Sequence, residues 1–466
     1  MTTNSTTTST TTGSRTTTSI PWGARDALEL ELPPGWPPAD VAWPDLDGVV
    51  ADYPAALGHA LDAPEGCPPI EGRVEPGSTV AVVVDDPSRW TPVREALPVV
   101  LGRLHAAGVR PADVTISVGV GRHHAVDAVA MRKRVGDAVV DAYRCFSPPV
   151  DDSSAYVDLG ETREVVPVRV FRPVAEADHR VLIGSVLPHL QAGFGGGYKL
   201  IFPGTSHRST LGALHRMGLS GDASRLLGDD AAANPMRRAI RSAAGLLGPC
   251  LSISHLIGAP GQVLRVRAGH PDAVQDGLAA EARRRFQAPE APVADLIAAG
   301  NHPWPGDPMQ SFKVLLQHRA ACRPGGVLVG FFWTDPAEID RSFPMPGLRA
   351  IAAAGAPGGW AIRRALALAA RAASVVSNPG AFLLRWAREL VVDRTVLVYA
   401  PPLRQRLGPR LGPIRLFDDR RRLWRAAADA LGDTPAPRVR IFPQGGLTYA
   451  PEARPSAPGR HVVRSK

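Results

Sequence analysis

Apolar residues recur along this chain with two spacings, and the alternation between them marks out the elements. Thr79–Val84 reads Thr-Val-Ala-Val-Val-Val, a short β-branched run of the kind that forms a strand. Pro92–Ala107 follows, with Leu97, Val100, Leu101 and Leu104 at helical spacing. A second strand is predicted over Val114–Val118, then a loop over Gly119–His124 and a helix over Val126–Val135. Strand, helix and strand in that order imply a parallel sheet with right-handed crossovers. Further strands are predicted at Val165–Val170 and Arg180–Gly184, the second running into the glycine-dense loop Gly193-Phe194-Gly195-Gly196-Gly197. Gln262–Arg267 reads as a strand and Pro271–Phe286 as a long helix.

Pro289 and Pro292 break the pattern, and a fresh alternation begins. It runs as strand Ala294–Ala298, helix Gln310–Cys322, strand Gly326–Phe332, helix Trp360–Ala373, strand Arg394–Tyr399, helix Asp418–Leu431 and strand Arg438–Phe442. The 466 residues exceed the length at which one core stops growing, so two domains are expected. The reading is a Thr/Ser-rich disordered tail over 1–18 and an α/β domain over 19–288. A second α/β domain covers 289–450 and a flexible basic tail 451–466. Both sheets are expected to be mainly parallel, with the active site in the cleft between the domains. No internal repeat is present.

Composition changes this picture little. The apolar share of 44% and charged share of 21% are those of an ordinary soluble globular chain. Net charge is +9, from arginines spread along the chain and a basic stretch over Arg404–Arg425. With aromatics at 6% and no base-reading signature, affinity for small anions is a better reading than nucleic-acid binding. Cys67, Cys145, Cys250 and Cys322 are isolated, without zinc-like spacing, which fits a reducing compartment. No apolar run approaches the roughly 20 residues of a membrane span, and no secretory pattern opens the chain, so a cytoplasmic location without membrane attachment is expected.

Four motifs carry candidate chemistry. Asp86-Pro87-Ser88-Arg89 directly follows the first strand; it reads as an arginine aimed at an anion, or as a helix cap with a solvated arginine. Gly121-Arg122-His123-His124 follows the next strand and suits acid/base work near neutral pH, or is a surface pair. Pro188-His189-Leu190-Gln191-Ala192 leads into the glycine loop and Tyr198-Lys199. Such glycine density lets backbone amides approach a phosphate or a planar ring. The loop matches neither the P-loop nor the dinucleotide-binding pattern, because Lys199 follows Tyr198 and no G-x-G-x-x-G opens a helix. His215 stands sixteen positions past Lys199 on a helix with Leu211, Leu214 and Met217, as a metal ligand or a core histidine.

Taken together, in this order and spacing, the four motifs resemble the nickel-dependent lactate racemase family from about Val80 to Gly326. The resemblance implies that Lys199 is joined through a thioamide to a nickel-pincer nucleotide, a pyridinium mononucleotide whose two sulfurs and ring carbon hold nickel. His215 would supply the fourth ligand in a plane that nickel(II) tolerates. Asp86, Ser88, Gly195, Gly196 and Gly197 would cradle the nucleotide. His123 and His189 would flank a 2-hydroxy acid, one on each face. One would take the hydroxyl proton as hydride leaves carbon, and the other would assist return to the opposite face. Arg89 would clamp the carboxylate with Gln310 and Lys313, which sit three residues apart on one helix face, although a solvated helix start accounts for that pair too. The partners implied are the small hydroxy acid and the enzymes that build the cofactor.

The chain departs from the family at three places. His124 stands where arginine is usual, His302-Pro303-Trp304 replaces small residues, and little aligns beyond Gly326. The cofactor machinery is intact while the substrate-facing part varies, so a substrate other than lactate is expected. Trp360 and Trp386 could line its pocket, or pack in the core. Two other functions remain open: oxidation of a hydroxy acid without inversion, and a non-catalytic hydroxy acid-binding protein.

Overall fold

The first apolar run forms a strand, Val80–Asp85, that is buried at every position. A strand without a polar face needs cover on both sides, which a parallel sheet with helices above and below provides. The computed structural model describes residues 17–23, 26–121, 125–149, 152–218, 226–229, 232–304, 308–342, 345–373 and 387–451. Among them Val80–Asp85 lies inside a six-stranded sheet. The spatial order is Gln262–Gly269, Cys250–Ala259, His179–Ser185, Val80–Asp85, Val114–Gly119 and Arg144–Phe146. Neighbours run parallel except for Gln262–Gly269, which pairs antiparallel with Cys250–Ala259.

From Val80–Asp85 the chain winds outward through Val114–Gly119 and returns on the other side as His179–Ser185, so the winding reverses at this strand. Open α/β sheets bind ligands outside the carboxyl ends of their strands at such a reversal. The loops after Asp85, Gly119 and Ser185 share that end, and they hold the first three motifs.

The second sheet has seven strands in the order Arg410–Leu411, Ile414–Phe417, Thr395–Tyr399, Cys322–Phe331, Ala294–Gly300, Val439–Phe442 and Asp40–Val41. It is parallel apart from the tight pair Arg410–Leu411 and Ile414–Phe417. Its winding reverses at Ala294–Gly300, which places the loop Asn301–Trp304 at the second reversal. Both sheets are therefore α/β and mainly parallel, as the pattern predicts.

The N-terminal residues side with the second sheet although they precede the first in sequence. The antiparallel pair Thr17–Trp22 and Asp26–Glu31 buries Ile20 and Leu30 against Leu296, Val329 and Trp424. Thr17 and Thr18, within the stretch read as tail, already belong to this pair.

Other differences have local causes. Val165–Val170 is found as Pro167–Phe171, outside the main sheet, in an antiparallel hairpin with Tyr156–Glu161. Cys250–Ala259 was not expected because Ser252, Ser254 and His255 interrupt its apolar run. Each is satisfied internally: the two hydroxyls lie 2.9 Å apart, and His255 Nδ1 donates to the Gly184 carbonyl at 2.8 Å. The helix Pro235–Ala244 was also unexpected; Asn234 caps it by accepting from the Arg237 amide at 3.0 Å. Trp360 does not pack in the core: it is 62% exposed, with the Arg364 guanidinium 5.1 Å from its ring. It lines a surface groove with Arg363, Val391 and Arg415. Trp386 lies outside the described residues. Among those described, no helix is long and apolar enough to cross a membrane.

Candidate active site

The loop after Val80–Asp85 is a tight turn. Asp86 Oδ1 accepts from the Ser88 amide at 2.8 Å, and the Arg89 amide donates to the Asp86 carbonyl at 2.9 Å. The next helix starts only at Val93, so the motif caps this turn and not a helix. Arg134, on the helix Ala128–Val135, forms a buried ion pair with Asp85. Its guanidinium also donates to the carbonyls of Asp85, Arg89 and Thr91, each at 3.1 Å. Thr91 Oγ1 donates to Asp85 Oδ2 at 2.6 Å. Burial pushes the Asp85 carboxyl up, against the pull of Arg134. This strut holds the backbone from which Arg89 projects, while the buried Ser88 hydroxyl has no hydrogen-bond partner within the protein.

Of the second motif, Arg122, His123 and His124 lie outside the described residues. Gly121, at φ 57°, donates its amide to the Gly204 carbonyl at 2.9 Å and so joins this loop to the end of the third.

The third motif is a hairpin, Pro188–His189 pairing antiparallel with Gly193–Phe194. His189 Nδ1 accepts from the amides of Gln191 and Ala192 at 3.2 and 3.1 Å. An amide only donates, so the neutral ring carries its proton on Nε2. Burial pushes His189 well below its ordinary value, and Lys199, Lys313, Arg89 and His215 push the same way. Gly196, at φ 83°, must be glycine: a Cβ there would sit 2.9 Å from Val186 Cγ2 and 3.0 Å from the Ser185 carbonyl. Arg237 spans this loop from below, donating to the carbonyls of Gly196 at 3.2 Å and Gly195 at 3.5 Å and to that of Phe194. Gln275 Oε1 is buried without a partner beside Gly196 and Gly197.

Lys199 stands on the short turn Gly197–Leu200 that ends the glycine loop. Burial, with Arg89, Arg237 and Lys313 adding repulsion, pulls its amine down to about 7. His215 is half-buried on the helix Arg208–Met217, and its Nδ1 lies 2.7 Å from the Leu211 carbonyl. A carbonyl only accepts, so Nδ1 carries the hydrogen and Nε2 the lone pair, the orientation found in metal-binding imidazoles.

The second sheet adds Gln310 and Lys313 from the helix Pro308–His318, where Lys313 Nζ donates to Gln310 Oε1 at 3.0 Å. It also adds Trp304, whose ring centroid lies 4.9 Å from Arg89 Cζ. The structure thus brings Arg89, Lys199, His215 and Lys313 into electrostatic reach of His189, and Arg89 and Lys313 into reach of Lys199 as well. The charged groups that shift His189 and Lys199 are all basic. Such a site suits an anion. Among the described residues no three His, Cys, Asp or Glu side chains converge to hold an ion by themselves. One imidazole lone pair, one depressed amine, and unpartnered polar atoms on Ser88 and Gln275 fit a nucleotide that brings most of its metal ligands with it.

Residues 26–226 match the lactate racemase N-terminal domain family. The lactate racemase of Thermoanaerobacterium thermosaccharolyticum is 24% identical over 283 residues, covering 58% of this chain and 63% of that protein. Over residues 26–226 the chain is therefore similar to the lactate racemases. The lactate racemase of Lactiplantibacillus plantarum is 27% identical over 157 residues, 34% of this chain and 37% of that one. Both sequence matches thus span less than two thirds of the relative. The lactate racemase apoprotein structure from Thermoanaerobacterium thermosaccharolyticum superimposes with a TM-score of 0.75 at 19% identity, covering 94% of this chain and all of that one, so the fold is shared. A Thermotoga maritima protein shares it more loosely, with a TM-score of 0.55 at 14% identity over 82% of this chain.

Sequence reading within this lactate racemase fold missed Arg134, Arg237 and Gln275. Arg134 and Gln275 sit on predicted helices where arginine and glutamine look solvated. Asn234-Pro235, a helix-start pair, was the available signal for Arg237.

Proposed function

We propose that this chain is a racemase or epimerase, an isomerase that inverts a 2-hydroxy acid at its hydroxyl-bearing carbon with a nickel-pincer nucleotide on Lys199. The observation that supports it most is the convergence of Lys199, His189, His215, Arg89 and Lys313 outside the carboxyl ends of the first sheet. In this reading the unit built on the first sheet carries the cofactor. The unit built on the second supplies part of the clamp, and the substrate enters the cleft between them.

The Lys199 amine, about half of it neutral near pH 7, would carry the covalent link, and His215 Nε2 would hold the nickel. Asp86, Ser88 and the glycine loop hold the nucleotide, with the Ser88 hydroxyl and Gln275 amide oxygen as the polar atoms that need a partner. When bound, the group supplies a reversible hydride acceptor next to the substrate carbon. Arg89 takes the substrate carboxylate in a planar pair of hydrogen bonds, and Lys313 with Gln310 adds a second contact. His189, with its proton on Nε2, donates a hydrogen bond to the substrate oxygen. His123 is then the base for the hydroxyl proton. A planar 2-keto acid held between the two histidines can receive hydrogen on either face, which is what inversion requires. The enzymes that build the cofactor are the implied partners, and the chemistry fits a cytoplasmic setting. The bulk of Trp304 beside Arg89 favours a substrate other than lactate.

The test is chiral chromatography of single enantiomers from a 2-hydroxy acid panel, incubated with holoenzyme. The expected result is approach to the mixture of both configurations, abolished by Lys199→Ala. Accumulation of a keto acid with no inverted product overturns the reading in favour of a simple oxidoreductase.

A further inference from the structure

We infer that Trp304 is a positioning residue for Arg89, setting the plane in which the guanidinium meets the substrate carboxylate; this rests on Arg89 being the carboxylate clamp. The two residues come from the reversal points of the two sheets, and their stacking is where those loops meet. Arg89 Cζ lies 4.9 Å from the indole centroid. The indole is itself fixed. It is 7% exposed, and its Nε1 donates to the Gly446 carbonyl at 3.1 Å. Residue 446 is glycine because a Cβ there would lie 2.4 Å from Trp304 Cδ1.

The turn carrying Trp304 is held from below by Asn301, whose Nδ2 donates to Ser311 Oγ and to the Trp333 carbonyl, both at 2.7 Å, and to the Trp304 carbonyl at 3.4 Å. Trp90, next to Arg89, donates from Nε1 to the Pro303 carbonyl of the same turn. Arg134 holds the Arg89 carbonyl from the other side. The Arg89 side chain is thus anchored at its backbone and at its planar head.

A guanidinium stacked on a ring keeps its edge N–H groups in one plane, and a carboxylate accepts two of them only when coplanar. Free in water, the same side chain would give up rotamer freedom to reach that pose. Burial pushes His302, in the same turn, down to about 4, so the turn brings no further positive charge to a site already rich in it.

The test is a double-mutant cycle on the holoenzyme, made with Arg89→Ala, Trp304→Ala and their combination, and with Trp304→Phe as the conservative variant. Calorimetric titration with a panel of 2-keto acids is read beside KM and kcat for whichever 2-hydroxy acid is turned over. Trp304→Ala should weaken carboxylate binding and raise KM about tenfold, the scale of one desolvated cation–π contact, with kcat changed far less. Trp304→Phe should restore most of the loss, and Trp304→Ala should add almost nothing once Arg89 is gone. Equal losses in the presence and absence of Arg89, or a fall in kcat and melting temperature without a change in KM, overturn the inference. So does a wild-type protein that binds no carboxylate. Carboxylate binding without inversion overturns the proposed racemase activity instead and leaves the Trp304–Arg89 relation standing.

Discussion

Nδ1 of His215 donates to the Leu211 carbonyl one helical turn earlier, at 2.7 Å, so the helix itself selects the tautomer whose Nε2 can bind a metal. If His215 is the nickel ligand, replacing it should separate metal from cofactor. His215→Ala is expected to lower nickel per chain by at least about tenfold while leaving the adduct on Lys199 in place. Elemental analysis beside intact mass checks this; undiminished nickel would show that His215 is not the ligand.

Lys199 should react as a nucleophile at a pH where ordinary lysines do not. Burial and the neighbouring cations hold its amine at about 7, against 10.5 for a free one. Its modification by a limiting amine reagent, followed by peptide mapping on cofactor-free protein, should rise through pH 7 and level off by about 8. A rate still climbing steeply at pH 10 would contradict the placement.

Arg134 should matter to stability more than its place on a predicted surface helix suggests. Arg134→Ala leaves Asp85 buried without its counter-charge, at a cost of about 3–5 kcal/mol. Urea denaturation measures it, and a loss below about 1 kcal/mol would mean that water replaces the guanidinium.

Acid should destabilise the fold through three other histidines. Burial holds His255 at about 4, His302 at about 4 and His318 at about 3, each below its ordinary 6.5. Their folded values are depressed, so the unfolded chain binds more protons below pH 6.5. The stability they contribute is present above 6.5 and is lost as pH falls toward 4, at up to about 1.4 kcal/mol per pH unit for each histidine. Denaturation midpoints measured from pH 7 to 4 should show this slope, and His318→Gln should reduce it by about one proton's worth. A flat profile would contradict the neutral, buried assignment.

Much of this was legible in the residues. Val80–Asp85 and Ala294–Gly300 announce themselves because a strand covered on both faces is apolar along nearly its whole length, with one aspartate in each, and the loops after such strands are where glycine, histidine and arginine gather. Cys250–Ala259 did not, because Ser252, Ser254 and His255 interrupt its apolar run: the two hydroxyls satisfy each other, and His255 finds its partner 71 residues away, which local pattern cannot contain. Arg134 and Arg237 were hidden for the same reason: their acceptors are carbonyls 41 to 49 residues away. Trp304 was visible as an oddity, but only the meeting of two sheets assigns it to Arg89. His123 lies outside the described residues, so its pairing with His189 rests on the motif.

The most direct measurement of the central claim is the intact mass of the chain purified after co-expression with the cofactor-building enzymes, with the modified residue located by peptide sequencing. The account predicts a single adduct on Lys199, absent from Lys199→Ala, in protein that inverts a 2-hydroxy acid. Inversion by a chain whose Lys199 is unmodified would contradict it.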